Sequence, residues 1–199
     1  MICEYTDQEI FELVNHQISN FWLSGGVPEE AYSSLKKALI RTEYNFSHRK
    51  GSIFQSDGQA AFHVTHSAQY AVFLCTYANQ LYLDEYQDAA DNVYYLNKIM
   101  NSVDWFYAVQ FPSIWSAEHP LGSVVGRATI GEYLFLYQGT TIGGNRKNGK
   151  LSYPTLGDSI LMYANSKILG DSHIGSNVIV SANAYLLNES IPDNCIVFG

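Results

Sequence analysis

The sequence is short of basic side chains, of cysteine and of long apolar runs, and each shortage removes a class of function. Eleven lysines and arginines stand against 19 aspartates and glutamates, a net charge of −8. A general nucleic-acid binder needs basic charge to neutralise phosphates, and an anionic membrane surface attracts the same kind of chain; neither partner is expected. Cys3, Cys75 and Cys195 are far apart and form no CxxC pair. They read as reduced thiols of a cytoplasmic protein, not as a disulfide framework or a zinc site. No uninterrupted apolar run approaches the roughly 18 residues of a membrane span. The N-terminus, MICEYTDQEI, lacks the basic and apolar stretches of a secretory signal. No GxGxxG or GxxxxGKS/T run is present, so Gly143-Gly144 is not a nucleotide fingerprint. Only 15% of residues are charged but 14% are aromatic, which excludes a disordered chain.

What is present is unevenly spread. Residues 1–119 hold 14 acidic and 6 basic side chains, whereas residues 120–199 hold 5 of each and 11 of the 15 glycines. The chain reads as two compositional halves, divided near residue 119.

The first half predicts helices. Thr6 and Glu9 have capping-box spacing, opening a helix from about Asp7 to Leu23 that ends at Gly25-Gly26. Pro28 suits the first turn of a second helix, with Ala31, Leu35, Ala38, Leu39 and Thr42 on one face. Residues 45–60 read as a loop. A third helix is expected from about Thr65 to Leu83 and a fourth from about Gln87 to Met100, both rich in helix formers and free of proline and glycine. His63 and His66 lie three apart, but no third ligand has matching spacing, so no metal is expected.

The second half carries a six-residue period. Val124, Ile130, Leu136 and Ile142 are six apart. After a break the period resumes at Leu156, Met162, Ile168, Ile174, Val180 and Leu186. The residue four after each marker is mostly small or β-branched: Ala128, Thr140, Ser166, Ser172, Val178, Ala184, Ser190. The residue three after is Gly139, Asn145, Asn165, Asp171, Asn177 or Asn183, types that tolerate a left-handed corner. A six-residue period with corners is a short strand and a turn, repeated. Three such strands make one triangular turn of a parallel β-helix. A helix needs a 3.6 period, and an antiparallel sandwich does not hold a fixed six. The break, GGNRKNGKLSYP, carries Arg146, Lys147 and Lys150, the only basic cluster in this half. An excursion from a corner is where binding residues sit.

Helices followed by such repeats resemble the hexapeptide acyltransferases, and among them the serine O-acetyltransferases. Asp104 lies fifteen residues before His119, which is followed by Gly122 and Val124-Val125-Gly126. Then come Thr141-Ile142-Gly143-Gly144-Asn145, the loop, Tyr153-Pro154-x-Leu156-Gly157, and Lys167-Ile168-Leu169-Gly170. The resemblance covers residues 104–195 well and the helices loosely. It implies an α+β chain: an α-helical N-terminal part, 1–103, then a left-handed parallel β-helix, 104–199, with a loop at 143–155. It also implies an acetyl-CoA-dependent O-acetyltransferase acting on a small hydroxyl acceptor, without a metal.

Acetyl transfer from a thioester to a hydroxyl needs a base, and histidine titrates near neutrality. The resemblance assigns that role to His119, with Asp104 as the carboxylate orienting it; an ordinary turn aspartate is an equal reading of Asp104. No acyl-enzyme is implied, since no cysteine has a histidine nearby in sequence. Glu118 and Tyr153 are the acceptor-contact candidates. Coenzyme A is expected in a groove between β-helices of a homotrimer, with two trimers able to pair. Its pantetheine arm would meet backbone amides near Gly143, Gly144, Ala164 and Ala182, and its phosphates Arg146, Lys147 and Lys150. A merely solvated basic loop is the other reading of those three. Where the serine enzymes carry Arg-His-Pro this chain has Ser152-Tyr153-Pro154, which brings in a second acceptor class: a sugar or surface-polysaccharide precursor. A non-catalytic trimeric scaffold is the reading from another class. The sequence stops at Gly199 without the tail by which the serine enzymes dock on cysteine synthase, so that docking is not expected.

Overall fold

The computed structural model describes residues 1–21 and 25–199. The chain divides into two compact units, Met1–Met100 and Asn101–Gly199.

Four α-helices account for most of the first unit among the described residues: α1 (Asp7–Asn20), α2 (Tyr32–Ser47), α3 (Ser67–Leu83) and α4 (Gln87–Asn101). Thr6 caps α1 by accepting from the Glu9 amide, while the Glu9 carboxylate accepts from the Thr6 amide. α1 stops at Asn20; the expected reach to Leu23 falls on residues 22–24, outside the described residues. A 3-10 turn, Glu29–Ala31, precedes α2, and the expected face from Ala31 to Thr42 is buried. Every residue of α3 from Ala68 to Leu81 is buried. A helix apolar on all sides must be enclosed by its neighbours, so α3 is the centre of this unit. Its polar side chains are bonded: the Arg41 guanidinium on α2 donates to Asn79 Oδ1 (2.9 Å) and Gln80 Oε1 (3.0 Å).

Residues 45–60 are more ordered than a loop. α2 extends to Ser47, and Gln55–Ser56 pairs antiparallel with Gln59–Phe62. Asp57 and Gly58 both take positive φ (51° and 75°), the conformation of a two-residue hairpin turn. The strand Ile2–Cys3 then pairs parallel with Ala61 and Phe62.

In the second unit the chain passes in rotation through three parallel sheets. The first holds Asp104–Trp105, Val124–Val125, Thr141–Gly143, Lys167–Leu169 and Tyr185–Leu187. The second holds Trp115–Ala117, Leu134–Leu136, Ile160–Met162, Val178–Val180 and Ile196–Val197. The third holds Thr129–Ile130, Thr155–Leu156, His173–Ile174 and Ser190–Ile191. Leu156 pairs with Ile174, Met162 with Val180 and Ile168 with Leu186, each 18 residues on, so one turn is three six-residue repeats. Ile130 pairs with Leu156 and Leu136 with Met162 at 26 residues, because an antiparallel hairpin interrupts that turn.

From Leu136 to Leu186 every marker is at most 6% exposed. The first turn departs from the expected register. Val125, fully buried, pairs with Ile142, and Val124 is only half-buried. That turn is one residue short, 17 from Val125 to Ile142, which moves the inward position by one. Corners fall as expected at Gly139, Asn165, Asn177 and Asn183, all at positive φ. Asn145 is instead the first residue of the hairpin strand Asn145–Lys147, and the corner expected at Asp171 falls on Gly170 (φ 68°). The small polar residues inside the corners are satisfied locally. Thr140, Ser166 and Ser172 each donate a hydroxyl to the carbonyl three residues back, at 2.8, 2.7 and 2.7 Å. Packed rings close the start of the coil: Trp105 lies edge-on to Trp115 at 5.2 Å, Phe111 lies 4.3 Å from Trp115, and Trp105 Nε1 donates to Ser123 Oγ.

Candidate active site

The site is built on one corner of the coil. Glu118 continues the strand Trp115–Ala117, and its amide donates to the Leu136 carbonyl of the next turn. His119 turns the chain at φ 47°, a left-handed conformation uncommon for a residue with a side chain. Such a residue costs on the order of 1–3 kcal/mol and persists only where its surroundings over-determine it. Here they do: Leu121 N donates to His119 O, Gly122 N to Ser102 O, and Gly139 N to Leu121 O. The outcome is a histidine side chain held outward, 79% exposed, with Nε2 3.9 Å from Glu118 Oε1. Asp104 is half-buried on the strand paired with Val124, in the turn adjoining the His119 corner.

The same edge continues through later turns. Asn165 N donates to Gln138 O, and Asn183 N to Ala164 O. Ala164 and Ala182 therefore lie on the corner column that begins at His119. Gly143 ends the next strand and is buried, and its carbonyl accepts from Gly170 N. Gly144 follows, exposed; a Cβ there would stand 2.8 Å from a ring carbon of Tyr153, so the absent side chain admits that ring. Arg146, Lys147 and Lys150 are exposed on the hairpin formed by Asn145–Lys147 and Lys150–Ser152. The expected loop is thus a hairpin, turned by Asn148 and Gly149 at positive φ. Arg146 folds back to the Gly149 carbonyl, and Lys147 faces Lys150 directly across the two strands.

Among the described residues no group of three or more His, Cys, Asp and Glu side chains is placed to hold a metal, and no helix is long and apolar enough to cross a membrane. Burial pushes the Cys75 thiol well up, against a smaller opposing pull from Arg41. It is not a nucleophile in waiting.

Comparison with known proteins follows the geometry. The serine acetyltransferase of Staphylococcus epidermidis is 32% identical over 136 residues, 68% of this chain and 63% of that protein. The chain resembles the serine acetyltransferases. The Staphylococcus aureus serine acetyltransferase is 30% identical over a span of the same length. The match spans a little under two thirds of these curated relatives. No family model matches. Among solved structures, Neisseria gonorrhoeae serine acetyltransferase has a TM-score of 0.71 at 21% identity, covering 98% of this chain and 79% of that one. A serine acetyltransferase in complex with cysteine has a TM-score of 0.73 at 17% identity, covering 98% and 78%. The fold of this chain is that of the serine acetyltransferases.

Two side chains at the corner were absent from the sequence expectation. Tyr137 and Tyr163 follow the inward markers Leu136 and Met162, as Glu118 follows Ala117 in the register. Their rings stack at 5.3 Å with 14° between planes. Desolvation first, then the charge and hydrogen-bonding carboxylate of Glu118, then Tyr163, push the Tyr137 phenol up. The signal was in the sequence as a shared repeat position. The unequal turns of 19 and 26 residues hid it.

Proposed function

We propose that this chain is an acetyl-CoA-dependent O-acetyltransferase, serine acetyltransferase-like, acting on a small hydroxyl acceptor by general-base catalysis. The likeness to the Staphylococcus epidermidis enzyme carries this reading. The outward His119, on one edge with Ala164 and Ala182, supports it. In the proposed reaction a His119 ring nitrogen takes the acceptor's hydroxyl proton as the oxygen attacks the thioester carbonyl carbon. The tetrahedral intermediate collapses, the carbon–sulfur bond breaks, and the imidazolium returns the proton to the departing thiolate. The products are an acetyl ester and coenzyme A. Asp104 orients the ring, Glu118 and Tyr153 meet the acceptor, and the transferase part runs from Asp104.

The coil is proposed to be left-handed, with coenzyme A lying along its edge past Gly143, Gly144, Ala164 and Ala182. The hairpin supports placing the phosphates at Arg146, Lys147 and Lys150. Like charges directly opposite, as Lys147 and Lys150 are, weaken a strand pair unless an anion joins them. A homotrimer is proposed because the second sheet shows an outward apolar ladder, Phe135, Leu161, Ile179 and Ile196, paired in that order.

The test is release of free thiol from acetyl-CoA with serine and with sugar acceptors. His119→Ala is expected to lower the rate about 100- to 10,000-fold without changing the melting temperature. An equally active His119→Ala variant would overturn the mechanism. The absence of coenzyme A binding by calorimetry would favour a scaffold. Tyr153 against Gly144, where the serine enzymes carry an Arg-His pair, supports the sugar as the second acceptor class.

A further inference from the structure

The edge that carries His119 holds a contact that the acetyltransferase reading does not use. Glu118 is half-exposed, at 53%, with a flexible side chain that water alone would leave in many rotamers. Parallel pairing sets Tyr137 directly beside it in the next turn: Ala117 pairs with Leu136, and each is followed by one of the two residues. The Tyr137 hydroxyl donates to the Glu118 carboxylate. The Tyr137 ring is itself gripped, stacked on Tyr163 and 5.2 Å from Phe135. A rigid phenol on a rigid sheet is a fixed donor. Glu118 is thereby tied on one side, with the His119 imidazole on the other.

We propose that Tyr137 is a positioning residue: it holds the Glu118 carboxylate beside the Nε2 edge of His119, so that the acceptor meets a fixed anion next to the base. The inference rests on His119 as the base and adds a residue and a selectivity. A fixed carboxylate at that place favours a hydroxyl whose neighbour is itself a hydrogen-bond donor, an ammonium or a vicinal hydroxyl. A lone alcohol gains nothing from it.

Two measurements test this, one independent of turnover. The ionisable groups facing Tyr137 are Glu118 and, behind the stack, Tyr163. In full-length protein carrying ring-labelled tyrosine, the Tyr137 resonance is assigned by its loss in Tyr137→Phe. Its titration midpoint is expected to move down in Glu118→Gln, since the anion opposing ionisation is gone. An unmoved midpoint overturns the contact and the proposal with it.

The second measurement is a kinetic cycle. Tyr137→Phe keeps the ring and its stack. It is expected to lower kcat/KM for the acceptor about tenfold, through KM, the effect of one hydrogen bond to a charged group at a half-exposed site. The KM for acetyl-CoA should stay within about twofold. In a Glu118→Gln background the same substitution should change acceptor kcat/KM by less than about twofold, because its target is already altered. Equal losses in both backgrounds would mean that Tyr137 acts on the fold and not through Glu118, which overturns the proposal. A protein inactive toward every acceptor, but with the Tyr137 midpoint still tied to Glu118, would overturn the acetyltransferase reading and the selectivity together, leaving a contact of structure alone.

Discussion

The two units of this chain solve the same problem, enclosing polar groups, in opposite ways. In the helical unit the partners come from far along the sequence. Arg41 reaches Asn79 and Gln80, the Asn15 amide side chain accepts from Val27 N and donates to Val27 O, and Gln69 Nε2 donates to Ile53 O. In the coil the buried hydroxyls of Thr140, Ser166 and Ser172 are each satisfied three residues back. A helical core is specified by side chains that find one another only when it is assembled. A coil is specified turn by turn, by local bonds and in-register backbone pairing. The teaching is about tolerance: the first kind of order should fail as a whole, the second at the damaged turn.

The largest stability effect should come from the centre of the first kind. Leu74, fully buried in α3, mutated to alanine is expected to cost about 2–5 kcal/mol, seen as a lower urea midpoint with helical signal lost in one step. Next is the coil corner at Gly139. Its φ is 64°, and a Cβ there would stand 2.1 Å from Asn165 Oδ1. Gly139→Ala should cost roughly 1–3 kcal/mol, with hydrogen-exchange protection lost around residues 137–140 and 163–166 and kept in α3. Protection lost equally everywhere would break the contrast between the units.

Arg41→Ala should cost about 1–3 kcal/mol, since two buried side-chain oxygens on α3 lose their donor. Desolvation lowers the Arg41 pKa, opposed by the Cys75 and Asp84 charges, so the guanidinium is held by its partners and not by water. The smallest effect is at Asp84. Desolvation alone would raise its pKa, but hydrogen bonds from Lys37, Ser34 and Gln80 outweigh it and hold the carboxyl below its usual range. A depressed folded pKa adds stability that is present above the unfolded value of about 4 and is lost as pH falls through the folded one. Asp84→Asn should therefore lower the melting temperature slightly at pH 7. The difference from the parent protein should vanish near pH 2, and a gap of the same size at both pH values would contradict the assignment.

Much of the site was legible because its residues are local to the repeat. Gly143-Gly144, the hairpin lysines and His119 with Glu118 stand in short runs. What escaped was pairing at a distance. Tyr137 and Tyr163 fill the position that Glu118 fills, but a short first turn and the inserted hairpin make the spacings unequal. For the same reason Val125, and not Val124, points inward. The hairpin at Asp57-Gly58 had its turn residues in plain view. Its strands are two and four residues long, too short for alternation to show.

By itself the sequence determined the helical caps, the division of the chain into two unlike halves, and the six-residue period, because each rests on neighbours within one turn of backbone. The tertiary structure decided what stands beside what. It placed α3 at the centre of its unit, held His119 outward at a left-handed corner, and set a tyrosine against Glu118. Those arrangements depend on backbone bonds between turns and on burial from several sides, and a linear spacing carries neither.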